Sequence, residues 1–96
     1  MTLQEFLQAK REDILKVCAR YGVHNVRVFG SVARGEADEQ SDIDLMVDFE
    51  PGRSLLDHAG LWLELQDLLG VKVDVVSSRG IKPRIRERVL REAVPL

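Results

Sequence analysis

The hydrophobic positions of this chain switch repeatedly between helical and strand-like spacing. Apolar residues recur every three or four positions over residues 2–20, which predicts an amphipathic helix. Tyr21-Gly22 ends it, because glycine suits a left-handed C-cap. A second long helix is predicted to begin after Ser54, with Asp57 completing a capping box, and to end at Gly70. One side of that helix carries Leu55, His58, Leu61, Trp62, Leu65, Leu68 and Leu69.

Short apolar segments between these helices predict three β-strands, over residues 26–29, 43–49 and 71–76. A short helix over residues 31–34 follows the first strand, and a last helix is predicted over residues 81–94. Strands separated by helices indicate an α/β (α+β) domain in which helices cover a small sheet. At 96 residues, we expect one domain spanning the whole chain.

Composition narrows the class of protein. The chain is 45% hydrophobic and 31% charged, as in ordinary globular proteins. No apolar run approaches the roughly 20 residues that span a bilayer, and the first residues lack the blocks of a signal peptide. One cysteine, Cys18, allows neither an internal disulfide nor a cysteine-based zinc site, and we expect it in the core. These features favour a cytoplasmic protein without membrane association.

Two aspartates in the second strand are the strongest sign of chemistry. Side chains alternate between the faces of a strand, so Asp42 and Asp44 point the same way. Adjacent carboxylates repel unless a cation lies between them, and magnesium that also binds substrate phosphates is the usual one. The alternative has Asp42 in a turn and Asp44 on a solvated face. Asp48 shares that face but is interpreted as a surface residue.

Asp74 interrupts the otherwise apolar third strand. A charge there is costly unless it is paired or coordinates a metal. If this strand lies beside the second, Asp74 meets Asp42 and Asp44, and two cations about 3.5–4 Å apart can clamp an in-line displacement. The alternative is an ion pair between Asp74 and Lys72.

Gly30 and Ser31 lie where the first strand turns into a short helix. Glycine lets a ligand approach the backbone, free N–H groups at a helix start attract anions, and Ser31 adds a hydroxyl. Arg34, one turn later, can reach a phosphate. A plain helix cap and an exposed arginine are the alternatives. The sequence has no Walker-type phosphate loop.

Charge is distributed unevenly. Seven acids and no bases lie between Glu36 and Glu50, around the candidate metal site. From Arg79 onward there are six bases against two acids. That basic segment can meet phosphate or an acidic partner, but a solvated helix face is the favoured interpretation.

The remaining candidates have structural interpretations. His24 and His58 lack metal-ligand spacing, so both are expected to be structural or exposed. Trp62 is expected in the core or in an interface. An exposed apolar strip around Leu61, Trp62 and Leu65 would favour a complex.

The combination of motifs resembles the DNA polymerase β-like nucleotidyltransferase superfamily. It consists of Gly30-Ser31-Val32-Ala33-Arg34-Gly35, then Ser41-Asp42-Ile43-Asp44-Leu45, and later Val73-Asp74-Val75-Val76. The short length and the Ala-Arg-Gly variant look like the minimal nucleotidyltransferases. These are antitoxin partners of HEPN-domain ribonucleases in prokaryotic toxin–antitoxin pairs.

The resemblance implies a mixed sheet flanked by helices, and transfer of AMP from ATP to a tyrosine hydroxyl of the cognate HEPN toxin. It implies that Gly30 and Ser31 hold phosphates and that Asp42 and Asp44 bind two Mg²⁺ ions. Asp74 would help bind the catalytic metal and orient or deprotonate the nucleophile. A hetero-oligomer is then expected, and no stable nucleic-acid binding.

Two other functions stay open. One is a catalytically idle antitoxin that neutralises its toxin by binding alone, although simple binding does not require three intact aspartates. The other is a nucleotidyltransferase that acts on RNA or on a small molecule.

Overall fold

A four-stranded mixed sheet forms the centre of the molecule. A computed structural model describes residues 2–38 and 41–96, so Glu39 of the acidic block and the N-terminal Met1 lie outside the described residues. The strands are β1 (Val23–Phe29), β2 (Ile43–Phe49), β3 (Val73–Ser77) and β4 (Val94–Pro95). They lie in the order β3, β2, β1, β4. Among the strands of the described residues, only the β2–β3 pairing is parallel, which confirms the predicted small mixed sheet.

Five α-helices accompany the sheet in the described part of the chain. They are α1 (Leu3–Ala9), α2 (Arg11–Arg20), α3 (Gly30–Ala33), α4 (Leu55–Leu69) and α5 (Pro83–Glu92), and a short 3₁₀ turn spans Ser78–Gly80. No described helix is long and apolar enough to cross a membrane. The capping box of Ser54 and Asp57 is confirmed, as are the left-handed conformation of Gly22 and the end of α4 at Gly70.

The single helix predicted over residues 2–20 is wrong in one respect, because the chain bends at Lys10. The bend lets α1 reach α3, where Gln4 Nε2 donates a 2.8 Å hydrogen bond to Val32 O. The helix α2 instead packs on the sheet through Ile14, Val17 and Cys18. Burial of Cys18 confirms its core position, and it raises the pKa of the thiol to about 11.

The strand boundaries differ from the prediction where an irregular backbone or pairing with a distant segment determines where a strand begins or ends. β1 begins at Val23, and the register with β2 shifts between His24 and Arg27, around Asn25 with φ +54°. β4 was not predicted at all. Its Val94 pairs with Val28 of β1, and this pairing ends α5 earlier than expected.

One face of the sheet forms the core. Ile43, Leu45 and Val47 of β2 are completely buried, together with Leu61 and Leu65 of α4. The predicted exposed strip is therefore wrong for Leu61 and Leu65. The exposed leucines of α4 are Leu55, Leu56 and Leu63, and Trp62 is 38% exposed. The polar residues of β2 occupy the opposite face of the sheet, and α5 lies beside that face.

Candidate active site

Two aspartates face each other across the parallel β2–β3 pair. Asp44 and Asp74 are register partners. Adjacent strands lie about 4.8 Å apart and register partners share a face, so both carboxylates project from the side opposite the core. Asp42 precedes β2 by one residue and lies two positions before Asp44, so in extended backbone the two residues are on the same side of the sheet. The structure thus brings β3 beside β2, as the argument for three neighbouring carboxylates required.

The electrostatics of Asp44 reflect these neighbours. Burial raises the pKa of the Asp44 carboxyl, and the charges of Asp74 and Asp42 raise it further. Arg34 acts in the opposite direction. Negative charge is therefore in local surplus, and a bound cation would relieve it.

The carboxylate oxygens of Asp42, Asp44 and Asp74 are suitable ligands for a hard divalent cation, but the three groups do not converge on a single position. Within residues 2–38 and 41–96, no three acidic, histidine or cysteine side chains form a ready-made metal cluster. Lys72 Nζ lies 3.6 Å from Asp42 Oδ2, so this lysine supplies part of the neutralising charge. To bind a metal ion, Asp42 would have to give up its ion pair with Lys72. Carboxylate oxygens are the ligands that Mg²⁺ prefers.

Gly30 closes the other side of the site. It follows Phe29, the register partner of Asp44 on β1, and has φ +74°. A Cβ at this position would overlap Asp44 Oδ2. Glycine is needed here both for the left-handed backbone and for the approach of the carboxylate. Among the described residues, the Ser31 hydroxyl has no hydrogen-bond partner, and it remains able to donate to a ligand.

Arg34 connects the glycine turn to α5. Its guanidinium donates to Glu36 at 3.0 Å and to Glu92 at 3.2 Å. The hydrogen bond to Glu36 is the main cause that raises the pKa of Arg34, and Glu92 adds to it. A phosphate at this position would have to replace one of these carboxylates.

A cleft of about 460 Å³ opens between the carboxylates and α5. Asp44 and Asp74 line it on the sheet side, and Lys82 and Arg84 line it on the other. Its remaining lining is Phe29, Val76, Gly80, Ile81, Ile85 and Val89. Lys82 and Arg84 are exposed, as the interpretation of the basic segment as a solvated face predicts, and only the fold brings them to the cleft of the carboxylates.

Comparison with known proteins identifies the family. A model of the nucleotidyltransferase domain matches residues 11–96. The chain belongs to the nucleotidyltransferase family. A solved structure of a protein provisionally named as a minimal nucleotidyltransferase is 64% identical, with a TM-score of 0.87, and the match covers 100% of this chain and 97% of that one.

Curated relatives agree with this identification. Protein adenylyltransferase MntA of Thermococcus cleftensis is 43% identical over 97 residues, covering 98% of this chain and 95% of the relative. A toxin–antitoxin complex crystallised with AMP-PNP shares the fold with a TM-score of 0.75. It is 22% identical, and the match covers 88% of this chain and 69% of that one. This chain is therefore a minimal nucleotidyltransferase.

Two of the charge assignments for this nucleotidyltransferase need correction. Asp74 is exposed rather than enclosed in a buried strand, and Lys72 pairs with Asp42 instead. Asp48 is not a plain surface residue. It accepts hydrogen bonds from Arg27 Nη2 at 2.9 Å, from Asn25 Nδ2 at 2.8 Å and from the Ser78 hydroxyl. These contacts tie Asp48 to the β1 bulge and to the turn after β3.

The outer edge of β3 in this nucleotidyltransferase is covered by polar atoms of α4. Trp62 Nε1 donates to Val73 O at 2.7 Å, and His58 Nε2 lies 2.8 Å from Val75 O. Because a carbonyl can only accept, His58 Nε2 carries the hydrogen. His58 has the structural role expected for it, whereas Trp62 is 38% exposed and does not lie in the core. Their partners are the residues on either side of Asp74.

Proposed function

We propose that this nucleotidyltransferase transfers AMP from ATP to a hydroxyl of a partner protein, and that it acts as an antitoxin by modifying a tyrosine of a cognate HEPN-domain toxin. The observation that supports transfer chemistry is the register pairing of Asp44 with Asp74, with Asp42 on the same face. A scaffold that only binds its partner gains nothing from carboxylates that repel each other.

In this proposal Asp42, Asp44 and Asp74 hold two Mg²⁺ ions. When bound, magnesium neutralises negative charge that develops on the reacting phosphate. The chain contributes the positions of the ligands. The ladder between β2 and β3 fixes the Asp44–Asp74 pair. Burial is the main cause of the raised pKa of Asp44, and the charges of Asp74 and Asp42, which a cation would offset, raise it further.

The triphosphate is proposed to lie on the glycine turn. Ser31 offers a hydroxyl beside the left-handed turn at Gly30, and Arg34 exchanges Glu36 or Glu92 for phosphate oxygens. Lys82 and Arg84, on the far side of the cleft, supply further positive charge close to the same carboxylates.

The proposed reaction is an in-line displacement at the α-phosphorus of ATP. The acceptor oxygen forms a bond to that phosphorus while the bond to the bridging oxygen of the β-phosphate breaks. Pyrophosphate leaves with the electron pair of that bond, and the hydroxyl proton is lost to a base. Asp74 orients the attacking hydroxyl and is placed to accept its proton.

The choice of acceptor rests on the relatives. The Thermococcus cleftensis relative is named a protein adenylyltransferase, and several further relatives from Methanocaldococcus jannaschii are provisionally named in the same way. By extension, a protein acceptor is proposed here, with ATP as donor. A complex with the toxin follows from the same proposal, as does a cytoplasmic location.

Labelled ATP distinguishes catalysis from simple binding. The chain is incubated with ATP labelled in its α-phosphate, with Mg²⁺ and with its proposed partner, a cognate HEPN-domain toxin. Label on the HEPN protein, lost with Asp42→Asn, supports the proposal. Full neutralisation of the toxin by Asp42→Asn would instead indicate an idle antitoxin. Label on RNA or on a small molecule, with none on protein, would indicate a different acceptor.

A further inference from the structure

A second depression adjoins Asp74 on the side away from Asp44. It lies between the first half of α4 and the outer edge of β3, and its volume is about 460 Å³. This acceptor recess is lined by Leu55, His58, Ala59, Trp62, Asp74 and Val75. Asp74 therefore forms part of two separate spaces, the cleft beneath α5 and the acceptor recess.

The wall of the acceptor recess is fixed to the strand that carries Asp74. Trp62 donates to the carbonyl of the residue before Asp74, and His58 donates to the carbonyl of the residue after it. His58 also contacts the ring of Phe49, with ring centroids 5.3 Å apart. Because these polar atoms are engaged by the backbone, the two side chains offer mainly their ring surfaces to a ligand.

We propose that the acceptor recess binds the polypeptide segment that carries the acceptor hydroxyl. This inference rests on the proposed function and adds the surface by which the partner is recognised. In an in-line displacement, the attacking oxygen enters opposite the leaving group. The glycine turn follows β1, and the strands run β1, β2, β3 toward this edge. A pyrophosphate leaving over Gly30 therefore places the incoming hydroxyl over β3, next to Asp74.

The chemistry of the lining selects the kind of acceptor. Within the described residues, no lysine or arginine lines the recess, and its one acidic group is Asp74. An RNA strand would bring phosphates to a lining that, among the described residues, has no basic side chain to meet them. An apolar or aromatic segment instead finds Leu55, Ala59 and the ring of Trp62.

An exposed leucine contributes the most apolar part of the lining. Leu55 lines the recess at the start of α4 and is 85% exposed. It is a large apolar side chain left in water in a depression that also contains Asp74. Burying Leu55 against a partner would add binding energy at the place where the hydroxyl must arrive.

The test uses a double variant with uncharged substitutions in the recess, together with a matched control variant. Leu55→Gln with Ala59→Gln makes the recess polar and narrower without touching the aspartates. Leu63→Gln changes a leucine of the same helix that is 57% exposed and does not line the recess. Glutamine and leucine have similar helix propensities, so the fold of α4 is preserved. The full chain is assayed with the proposed HEPN-domain partner and α-labelled ATP, and AMP-PNP binding is measured by calorimetry.

We expect the double variant to raise the KM for the HEPN protein, or its dissociation constant, by at least about ten-fold, the scale of losing one buried apolar side chain. Affinity for AMP-PNP stays within about two-fold, and Leu63→Gln matches the original chain. Unchanged labelling by the double variant would contradict the proposal that the acceptor recess binds the partner. A loss of AMP-PNP affinity as large as the loss of affinity for the HEPN protein would also contradict it. If the original chain labels no protein, the proposed function itself fails.

Discussion

Asp44 and Asp74 occupy the same register position on two parallel strands, so their carboxylates share one face of the sheet. Asp42 lies on the same side, next to Lys72, and Gly30 approaches Asp44 from β1. The arrangement concentrates negative charge around the half-buried carboxylate of Asp44. Consequences for stability and for activity can therefore be separated by substitution.

Replacing Asp44 should stabilise the fold and abolish transfer. Asp44→Asn keeps the shape of the side chain but removes a charge that Asp42 and Asp74 repel. In EDTA, we expect the free energy of unfolding to rise by a few tenths of a kcal/mol, since solvent screens a partly exposed group. AMP transfer should fall by about two to three orders of magnitude or more. Urea titration and the labelling assay measure the two effects.

Asp48→Asn provides the comparison on the same face. Asp48 accepts hydrogen bonds from Arg27, Asn25 and Ser78, so its loss should lower stability while transfer persists. Equal stability changes in Asp44→Asn and Asp48→Asn would contradict the assignment of Asp44 as a repelled carboxylate.

Gly30 should tolerate no side chain, for two separable reasons. Gly30 and Gly35 both have φ near +74°, at +74° and +73°. A Cβ on Gly30 overlaps Asp44 Oδ2, whereas a Cβ on Gly35 meets nothing within 4 Å. Gly35→Ala should cost about 1–2 kcal/mol for the left-handed backbone and retain transfer. Gly30→Ala should cost more and abolish transfer. Similar behaviour of both variants in thermal unfolding and labelling would refute a role for the close approach to Asp44.

Trp62 should stabilise the free edge of β3 by its hydrogen bond. Trp62→Phe keeps an aromatic ring but leaves Val73 O without its donor. We expect a loss of about 0.5–1.5 kcal/mol and faster amide exchange in β3. The exposed Leu63→Ala should change stability by no more than about 0.5 kcal/mol. Amide exchange in β3 that is insensitive to Trp62→Phe would mean that the edge is held by other contacts.

The N-terminal cap of α4 predicts a pH dependence. The Ser54 backbone N–H donates to Asp57 at 3.0 Å, and this hydrogen bond lowers the pKa of the Asp57 carboxyl below its ordinary value of 3.8, with Arg53 adding to the effect. A lowered pKa stabilises the fold above the unfolded-state value, and the stabilisation is lost as pH falls through the folded-state pKa. Asp57→Asn should therefore be less stable than the original chain at pH 7.

The two proteins should converge in stability as the pH falls below 3.8 and through the lowered pKa of Asp57 in the folded chain. Urea unfolding at several pH values follows the difference, and Asp67→Asn, at an exposed position further along α4, is the control. A gap between the original chain and Asp57→Asn that is independent of pH would show that the cap does not depend on the carboxylate charge.

Local patterns predicted much of the fold. The alternation in Ile43–Phe49 placed Asp44 opposite the core, and Ser54 with Asp57 located the start of α4. What failed depends on contacts distant in sequence. Val94–Pro95 is too short to have a strand pattern and becomes β4 only by pairing with β1. The bend at Lys10 likewise depends on the contact between α1 and α3, and this contact cannot be predicted from the helical periodicity of residues 2–20.

The candidate site was predictable where its residues follow strands, and less so elsewhere. Asp44 and Asp74 could be aligned once both segments were interpreted as neighbouring strands. Lys82 and Arg84 could not be linked to them, because their helix returns across the sheet only in the folded chain. The ion pair of Lys72 with Asp42, instead of Asp74, depends on side-chain directions that spacing does not determine.

The most direct measurement uses ATP labelled either in the α-phosphate or in the γ-phosphate. The chain is incubated with each, together with Mg²⁺ and the HEPN-domain protein. Transfer of AMP predicts that only the α-label appears on protein, that pyrophosphate is released, and that Asp74→Asn removes the signal. Label from the γ-phosphate, or undiminished α-label with Asp74→Asn, would contradict AMP transfer by this carboxylate set.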